Sequence, residues 1–206
     1  MYQKYIKRFI DICFGIIGLI PLFFVTLFIA PAIFLTDRGP ICYNAERLGK
    51  KGKPFKMYKF RSMKVNAPDI RNADGSTYNG DDDPRVTKIG RFMRKTSIDE
   101  LPQFLNVLKG DMSVIGPRPD PLDDINIYTE EQKKKLDVRP GITGYNQAYF
   151  RNAISQNDKF NNDLYYSKNI SFWLDLKILF KTISTVLLRK NVYNDESKIE
   201  GNEGIK

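Results

Sequence analysis

Apolar positions crowd the start of this chain and then thin into shorter, patterned stretches. From Ile12 to Thr36 no residue is charged, a run of 25 residues. As one straight helix it would reach roughly 37 Å, against a bilayer hydrocarbon core of about 30 Å. The run predicts a membrane helix. A buried helix of a soluble protein is the alternative, and a signal peptide fits less well, because no small-residue cleavage site follows. Pro21 and Pro31 fall inside the run; neither has an N–H, and each bends or breaks a helix. Basic residues flank both sides: Lys4, Lys7 and Arg8 before, Arg38, Arg47, Lys50, Lys51 and Lys53 after. Such flanks favour the cytoplasmic side. A spanning helix has to export one of them, whereas a helix broken at Pro21 that dips in and returns exports neither. On these residues alone the Pro-kinked span and the re-entrant helix both stay open.

The remaining pattern is that of a small mixed α/β domain. Residues 37–64 read as a short β region, with 55–63 strand-like. Residues 66–84 are rich in Asn, Asp, Gly and Pro and read as a surface loop. Residues 85–109 look helical, with Gly110 as the stop. Residues 111–144 carry several Pro and Gly, with a polar helix near 129–136. Over 171–190, Trp173, Leu176, Phe180, Ile183 and Leu187 recur at spacings of three or four, which predicts an amphipathic helix. Lys177, Lys181, Arg189 and Lys190 sit among or beyond them. That face can lie in a membrane interface, with Phe172 and Trp173 at headgroup level, or pack on a core with its basic side in water. The organisation is then a membrane helix over 1–36, a catalytic domain with interfacial helices over 37–190, and a polar tail over 191–206.

Composition narrows the chemistry. The chain has 206 residues, a formal charge of +9 and no histidine. The charge points to a polyanionic neighbour: nucleic acid, an anionic membrane or a phosphorylated substrate. The missing histidine excludes Ser-His-Asp triads and His metal sites. Cys13 and Cys42 form no CxxC pair, which argues against a zinc site or a disulfide framework. What remains is carboxylates, Lys, Arg, hydroxyls and an oxygen-bound metal.

The stretch Arg91 to Pro102 is the most telling. Ser97 and Glu100 have capping-box spacing, and Pro102 suits the first position of a helix. Either way Asp99 and Glu100 fall at a helix N-terminus, where the local positive potential keeps a carboxylate ionised. Acidic residues in a first turn are common, so spacing alone does not make Asp99 catalytic. The basic residues around it add weight. Lys59 and Arg61 alternate along a predicted strand and share one face. Arg118 is set between Pro117 and Pro119, so little ordering entropy remains when it grips an anion. Arg139 opens another rigid turn, Arg91, Arg94 and Lys95 stand within one or two turns upstream of Asp99, and Arg151 follows in Phe150-Arg151-Asn152-Ala153. Rigid arginines beside an ionised carboxylate at a membrane surface point to phosphate chemistry. No Walker loop or GxGxxG is present, and no nucleic-acid-binding motif appears. A non-catalytic basic protein that docks on anionic membranes explains the charge but not the Asp99-Glu100 pair.

Six motifs, in this order, carry a resemblance: Lys7-Arg8-Phe9-Ile10-Asp11, Tyr58-Lys59-Phe60-Arg61-Ser62-Met63, Ser97-Ile98-Asp99-Glu100-Leu101-Pro102-Gln103, Asn106-Val107-Leu108-Lys109-Gly110-Asp111-Met112-Ser113, Gly116-Pro117-Arg118-Pro119 and Arg139-Pro140-Gly141-Ile142-Thr143-Gly144. The chain resembles the small monotopic bacterial sugar transferases, the polyprenyl-phosphate phosphoglycosyl transferases. The resemblance implies transfer of a sugar-1-phosphate from a UDP-sugar to undecaprenyl phosphate with release of UMP. It implies Asp99 as the nucleophile that carries the phosphosugar and as a Mg²⁺ ligand, and Glu100 as its partner. It implies phosphate handling by Lys59, Arg94, Arg118 and Arg151, with Arg61 in the same basic stretch. It also implies a re-entrant helix at the cytoplasmic face of the bacterial inner membrane. A homodimer is left open. Two segments depart from the family pattern. Ile20-Pro21 stands where many members have Ser-Pro, and Tyr145-Asn146-Gln147-Ala148 where many have Trp-Ala-Gln-Val.

Overall fold

In the computed structural model, residues 1–70, 78, 80, 82–150 and 154–187 are described. Helix α1 runs over Lys7–Asp37 after a π-helical turn at Tyr2–Ile6. Strands β1 (Ala45–Leu48) and β2 (Pro54–Met57) form an antiparallel hairpin, with Ala45 opposite Met57 and Leu48 opposite Pro54. Helices α2 (Lys88–Thr96) and α3 (Gln103–Lys109) follow, separated by a 3₁₀ turn at Ile98–Glu100. Strand β3 (Ser113–Ile115) pairs in parallel with β4 (Gly141–Thr143). Helices α4 (Tyr145–Tyr149), α5 (Gln156–Lys168) and α6 (Phe172–Leu187) complete the order. The expected mixed helix–sheet domain with a long apolar N-terminal helix is what forms.

The main core gathers Met57, Val107, Met112, Val114, Ile115, Ala148, Tyr166 and Ile178 from β2, α3, β3 with the residue before it, and the last three helices. A second cluster joins Ile29 and Ile33 of α1 to Phe60 and Met93. Helix α1 therefore packs on the domain along much of its length. Its buried positions, Asp11, Gly15, Gly18, Ile29 and Ile33, recur at helical spacing. A Cβ on Gly18 would come within 2.5 Å of the Phe104 ring, so glycine here lets α1 and α3 approach closely. The opposite face of α1 is apolar and uncovered, with Ile16, Ile17, Ile20, Phe23, Phe24, Leu27 and Phe28 all exposed. With its leading turn, the helix is long and apolar enough to cross a membrane.

Both ends of α1 are tied to the same domain. At the start, Asp11 accepts from the Ser113 hydroxyl at 2.9 Å and the Val114 N–H at 2.8 Å. Arg8 donates to the Val107 and Leu108 carbonyls at the end of α3, and Lys7 pairs with Asp175 of α6 at 2.6 Å. At the far end, Asp37 takes a two-pronged ion pair from Arg61. The interruption expected at Pro21 is absent. The helix continues through Pro21 and Pro31 with no non-helical residue, because both prolines lie on the exposed side, where a missing hydrogen bond and a ring against the preceding turn are tolerated without packing strain.

The helix expected over 85–109 is two helices. Ser97 adopts a left-handed conformation (φ 58°) and closes α2, its N–H donating to Arg94 O at 3.4 Å. It does not cap the next turn with its side chain, so the capping-box reading is corrected. Gly110 ends α3 at φ 93°, as expected of a residue without Cβ. The polar helix expected near 129–136 is a 3₁₀ turn at Gln132–Asp137. On α6, Ile178 is buried while Trp173 and Phe180 are 69% and 64% exposed. Of the apolar stripe read from the sequence, Trp173, Phe180 and Ile183 thus lie on the uncovered side of that helix and Leu176 is half-buried, while a neighbouring set of residues faces the core. Arg151, Arg189, Lys190 and the tail over 191–206 lie outside the described residues.

Candidate active site

The site is made by the kink at Ser97. The left-handed residue turns the chain so that Asp99 O accepts the Phe60 N–H at 2.9 Å. That backbone bond lays the 58–61 segment against the 3₁₀ turn and delivers Lys59 to the carboxylates. Lys59 Nζ lies 2.8 Å from Asp99 Oδ2 and 3.5 Å from Glu100 Oε1. Asp99 is only 2% exposed. A carboxylate this enclosed needs a cationic partner, and Lys59 is that partner. The left-handed conformation of a non-glycine residue is itself costly, so strain sits two residues from the Asp99 carboxylate.

Arg118 closes the cluster from the other side. Its turn is held by backbone bonds between neighbouring segments: Gly116 N–H donates to Thr143 O at 2.9 Å and Gly141 N–H to Pro117 O at 2.8 Å. Glycine is required at 116, since a Cβ would meet the Arg139 carbonyl oxygen at 2.5 Å. Arg118 donates to Glu100 Oε1 at 3.1 Å, yet about half of its side chain stays in solvent, where an incoming anion can reach it. Burial raises the Glu100 carboxyl, but the Arg118 and Lys59 charges outweigh it and hold the group down to about 2. The Glu100 charge in turn pushes the Arg118 guanidinium up. Asp99, Glu100, Lys59 and Arg118, from three separate places in the sequence, thus converge.

One expected phosphate ligand goes elsewhere, and a second bonds the segment that carries Lys59. Arg61 is 6% exposed and fully engaged: besides Asp37, it donates to Pro40 O at 2.5 Å and Met63 O at 3.2 Å. It anchors the end of α1 rather than facing the carboxylates. Arg94 donates to Ser62 Oγ at 3.0 Å, on the segment that carries Lys59. Arg151 lies outside the described residues.

The sequence reading also passed over residues that shape the site. Lys135 is buried with Asp120 and Asp163, beside the Tyr128 and Phe160 rings, and so fixes the residue that follows Pro119. A lysine in a run of three gives no sign of burial. Gln147 has a buried amide with no hydrogen-bonding partner among the described residues.

Among the described residues no three His, Cys, Asp or Glu side chains converge to hold a metal alone. Asp99 and Glu100 form a donor pair of hard oxygens. That suits Mg²⁺, which commonly uses one or two carboxylates and takes its other ligands from water and substrate phosphate.

Residues 2–189 match the family model described as bacterial sugar transferase. The chain is 46% identical over 190 residues to the galactosyl transferase CpsE of Streptococcus agalactiae serotype III, covering 88% of this chain and 42% of that protein. It is 44% identical to the uncharacterised sugar transferase EpsL of Bacillus subtilis, covering 91% of this chain and 90% of that protein. It is 39% identical to the UDP-glucose:undecaprenyl-phosphate glucose-1-phosphate transferase of Escherichia coli K12, covering 93% of this chain and 42% of that protein. The chain therefore spans less than half the length of two of these three relatives and nearly all of the third. With its own motifs assembled around Asp99 and the match running almost end to end, the chain belongs to the bacterial sugar transferase family.

Proposed function

We propose that this protein transfers a sugar-1-phosphate from a UDP-sugar to undecaprenyl phosphate, releasing UMP, with the phosphosugar carried in between on Asp99. The observation that carries this reading is a buried Asp99 carboxylate 2.8 Å from Lys59, beside Glu100 and a half-exposed Arg118. The relative from Escherichia coli is named for this reaction with glucose, and that from Streptococcus agalactiae for galactose, so the relatives do not fix the sugar.

In the first step an Asp99 oxygen bonds to the β-phosphorus. The bond from that phosphorus to the bridging oxygen breaks, and UMP leaves with the electron pair. In the second step an oxygen of the lipid phosphate bonds to the same phosphorus and Asp99 departs as a carboxylate. Both nucleophiles are anions, so neither step needs a base, in keeping with a chain that has no histidine. Lys59 engages Oδ2 of Asp99, which leaves the other oxygen to approach phosphorus. Lys59 and Arg118 offset the repulsion between an anionic nucleophile and an anionic diphosphate, a form of electrostatic stabilisation worth several kcal/mol. Asp99, with Glu100 beside it, would hold Mg²⁺, and the ion would supply further charge neutralisation.

The reading places the protein on one face of the membrane, the cytoplasmic face of the bacterial inner membrane, where nucleotide sugars are found. In its support, Arg8 and Asp11 at one end of α1 and Asp37 at the other are bonded to one folded domain, which cannot lie on both sides of a bilayer. The uncovered apolar faces of α1 and α6 then meet lipid.

Asp99→Asn tests the chemistry. The variant is expected to fold, to bind membranes and to release no UMP, and intact-mass measurement of the wild type with UDP-sugar alone is expected to show an added phosphosugar. Substantial turnover by the variant refutes the role of Asp99.

A further inference from the structure

Beyond Arg118 the site holds one more guanidinium. Arg47 lies on β1, and the next residue ties that strand to the Arg118 turn: Leu48 N–H donates to Asp120 O at 2.9 Å. The Arg47 side chain is partly buried. Burial, and after it the Arg118 charge, push its guanidinium down, against a weaker upward pull from Tyr43, Asp120 and Asp124.

Among the described residues no carboxylate touches Arg47; Asp120 and Asp124 act on it only at a distance. Its side chain makes one long hydrogen bond, from Nη1 to Glu46 O at 3.3 Å, and no ion pair. Asp120, next door, is already used: its Oδ2 accepts the Tyr128 hydroxyl at 2.6 Å and the Lys135 ammonium. Other enclosed arginines are matched. Arg61 is paired with Asp37, Arg85 with Asp83, and Arg8 with two helix-end carbonyls. Repulsion from Arg118 costs stability, and a bound anion between the two guanidinium groups offsets that cost.

We propose that Arg47 is a donor-binding residue which, with Arg118, holds the phosphate that leaves as part of UMP. This rests on the transferase reading given above. The order of charges selects that phosphate. Lys59 contacts Asp99 and Glu100, Arg118 contacts Glu100, and Arg47, on the strand tied to the Arg118 turn, contacts neither carboxylate. A diphosphate laid along this row with its β-phosphorus at Asp99 has its α-phosphate toward Arg47. As the bridging bond breaks, the electron pair moves to the α-phosphate side. The planar fork of Arg47 meets that growing charge with two N–H groups.

The test compares wild type, R47Q and R47K with UDP-sugar, polyprenyl phosphate and Mg²⁺. In a double-displacement reaction, kcat/KM for each substrate reports its own half-reaction. R47Q is expected to lower kcat/KM for UDP-sugar roughly tenfold and to raise the inhibition constant of added UMP by a similar factor, about 1.4 kcal/mol. The value for polyprenyl phosphate is expected to hold. R47K, which keeps the charge without the fork, is expected to recover only part of the loss; it also carries the test alone if R47Q melts much lower than wild type. Unchanged UDP-sugar and UMP parameters in variants of a turning-over enzyme overturn the role of Arg47 and leave the transferase reading intact. A loss confined to polyprenyl phosphate also overturns it, by assigning the anion to the acceptor. No UMP release by the wild type sinks both.

Discussion

Arg61 offers a sharp test, because sequence pattern and structure give it different work. Beside Lys59 it reads as a phosphate ligand, whereas in the fold it clamps the end of α1. It makes a two-pronged pair with Asp37, both contacts at 2.6 Å, and donates to two backbone carbonyls. Arg61→Met removes all of these and leaves the Asp37 carboxylate unpaired. Breaking a buried ion pair costs about 3–5 kcal/mol. Asp37 keeps roughly a quarter of its side chain in water, which screens part of the loss, so about 3 kcal/mol is expected. For a chain of this size that is a fall in melting temperature of roughly 6–12 °C. The assay is thermal unfolding in nanodiscs, paired with UDP-sugar kinetics below the transition. The expected result is a lower melting temperature with KM for UDP-sugar near the wild-type value. An unchanged melting temperature with a strongly raised KM would refute the anchoring role and restore Arg61 to the phosphate site.

The Glu100 carboxyl, held at about 2 against a usual value near 4.3, gives a pH signature. A depressed carboxyl adds stability that is complete above the unfolded value and is lost as pH falls through the folded one. Arg118→Gln removes the foremost lowering charge. The gap in melting temperature between wild type and R118Q is therefore expected to be wide at pH 6 and to narrow by pH 3; a pH-independent gap refutes the coupling. Lys135→Met leaves Asp120 and Asp163 without their cation in a buried site. It is expected to cost about 3–5 kcal/mol in denaturant unfolding, with K135R milder, and wild-type stability in K135M contradicts the account.

How much of this was readable in advance depends on how local each cause is. The apolar run of α1, the Gly110 stop and the α6 stripe are set by neighbours a few residues apart, and all three appear where the pattern puts them. Helix α5 was missed. Its residues are mostly polar, and its buried positions are Phe160, Asp163 and Tyr166, one of them an acid. An aspartate reads as a surface residue until Lys135 and Asn146 are seen to reach it. The α2–α3 break was missed for a related reason: the left-handed Ser97 carries none of the glycine or asparagine signal that usually marks that conformation.

The site divides in the same way. By itself the sequence determined the chemical inventory: no histidine, an Asp-Glu pair, arginines stiffened by prolines, and an apolar leader able to meet a bilayer. Residue type fixes which protons and charges exist, and nothing in the fold can add to them. Only the tertiary structure decided that Lys59 and Arg118 meet Asp99 and Glu100, that Arg61 turns away to Asp37, and that no described carboxylate touches Arg47. Those outcomes depend on backbone bonds between distant segments, Phe60 to Asp99 and Leu48 to Asp120. Charge interactions fall off over a few ångströms, so partners far apart in sequence are chosen by the packing that brings them together.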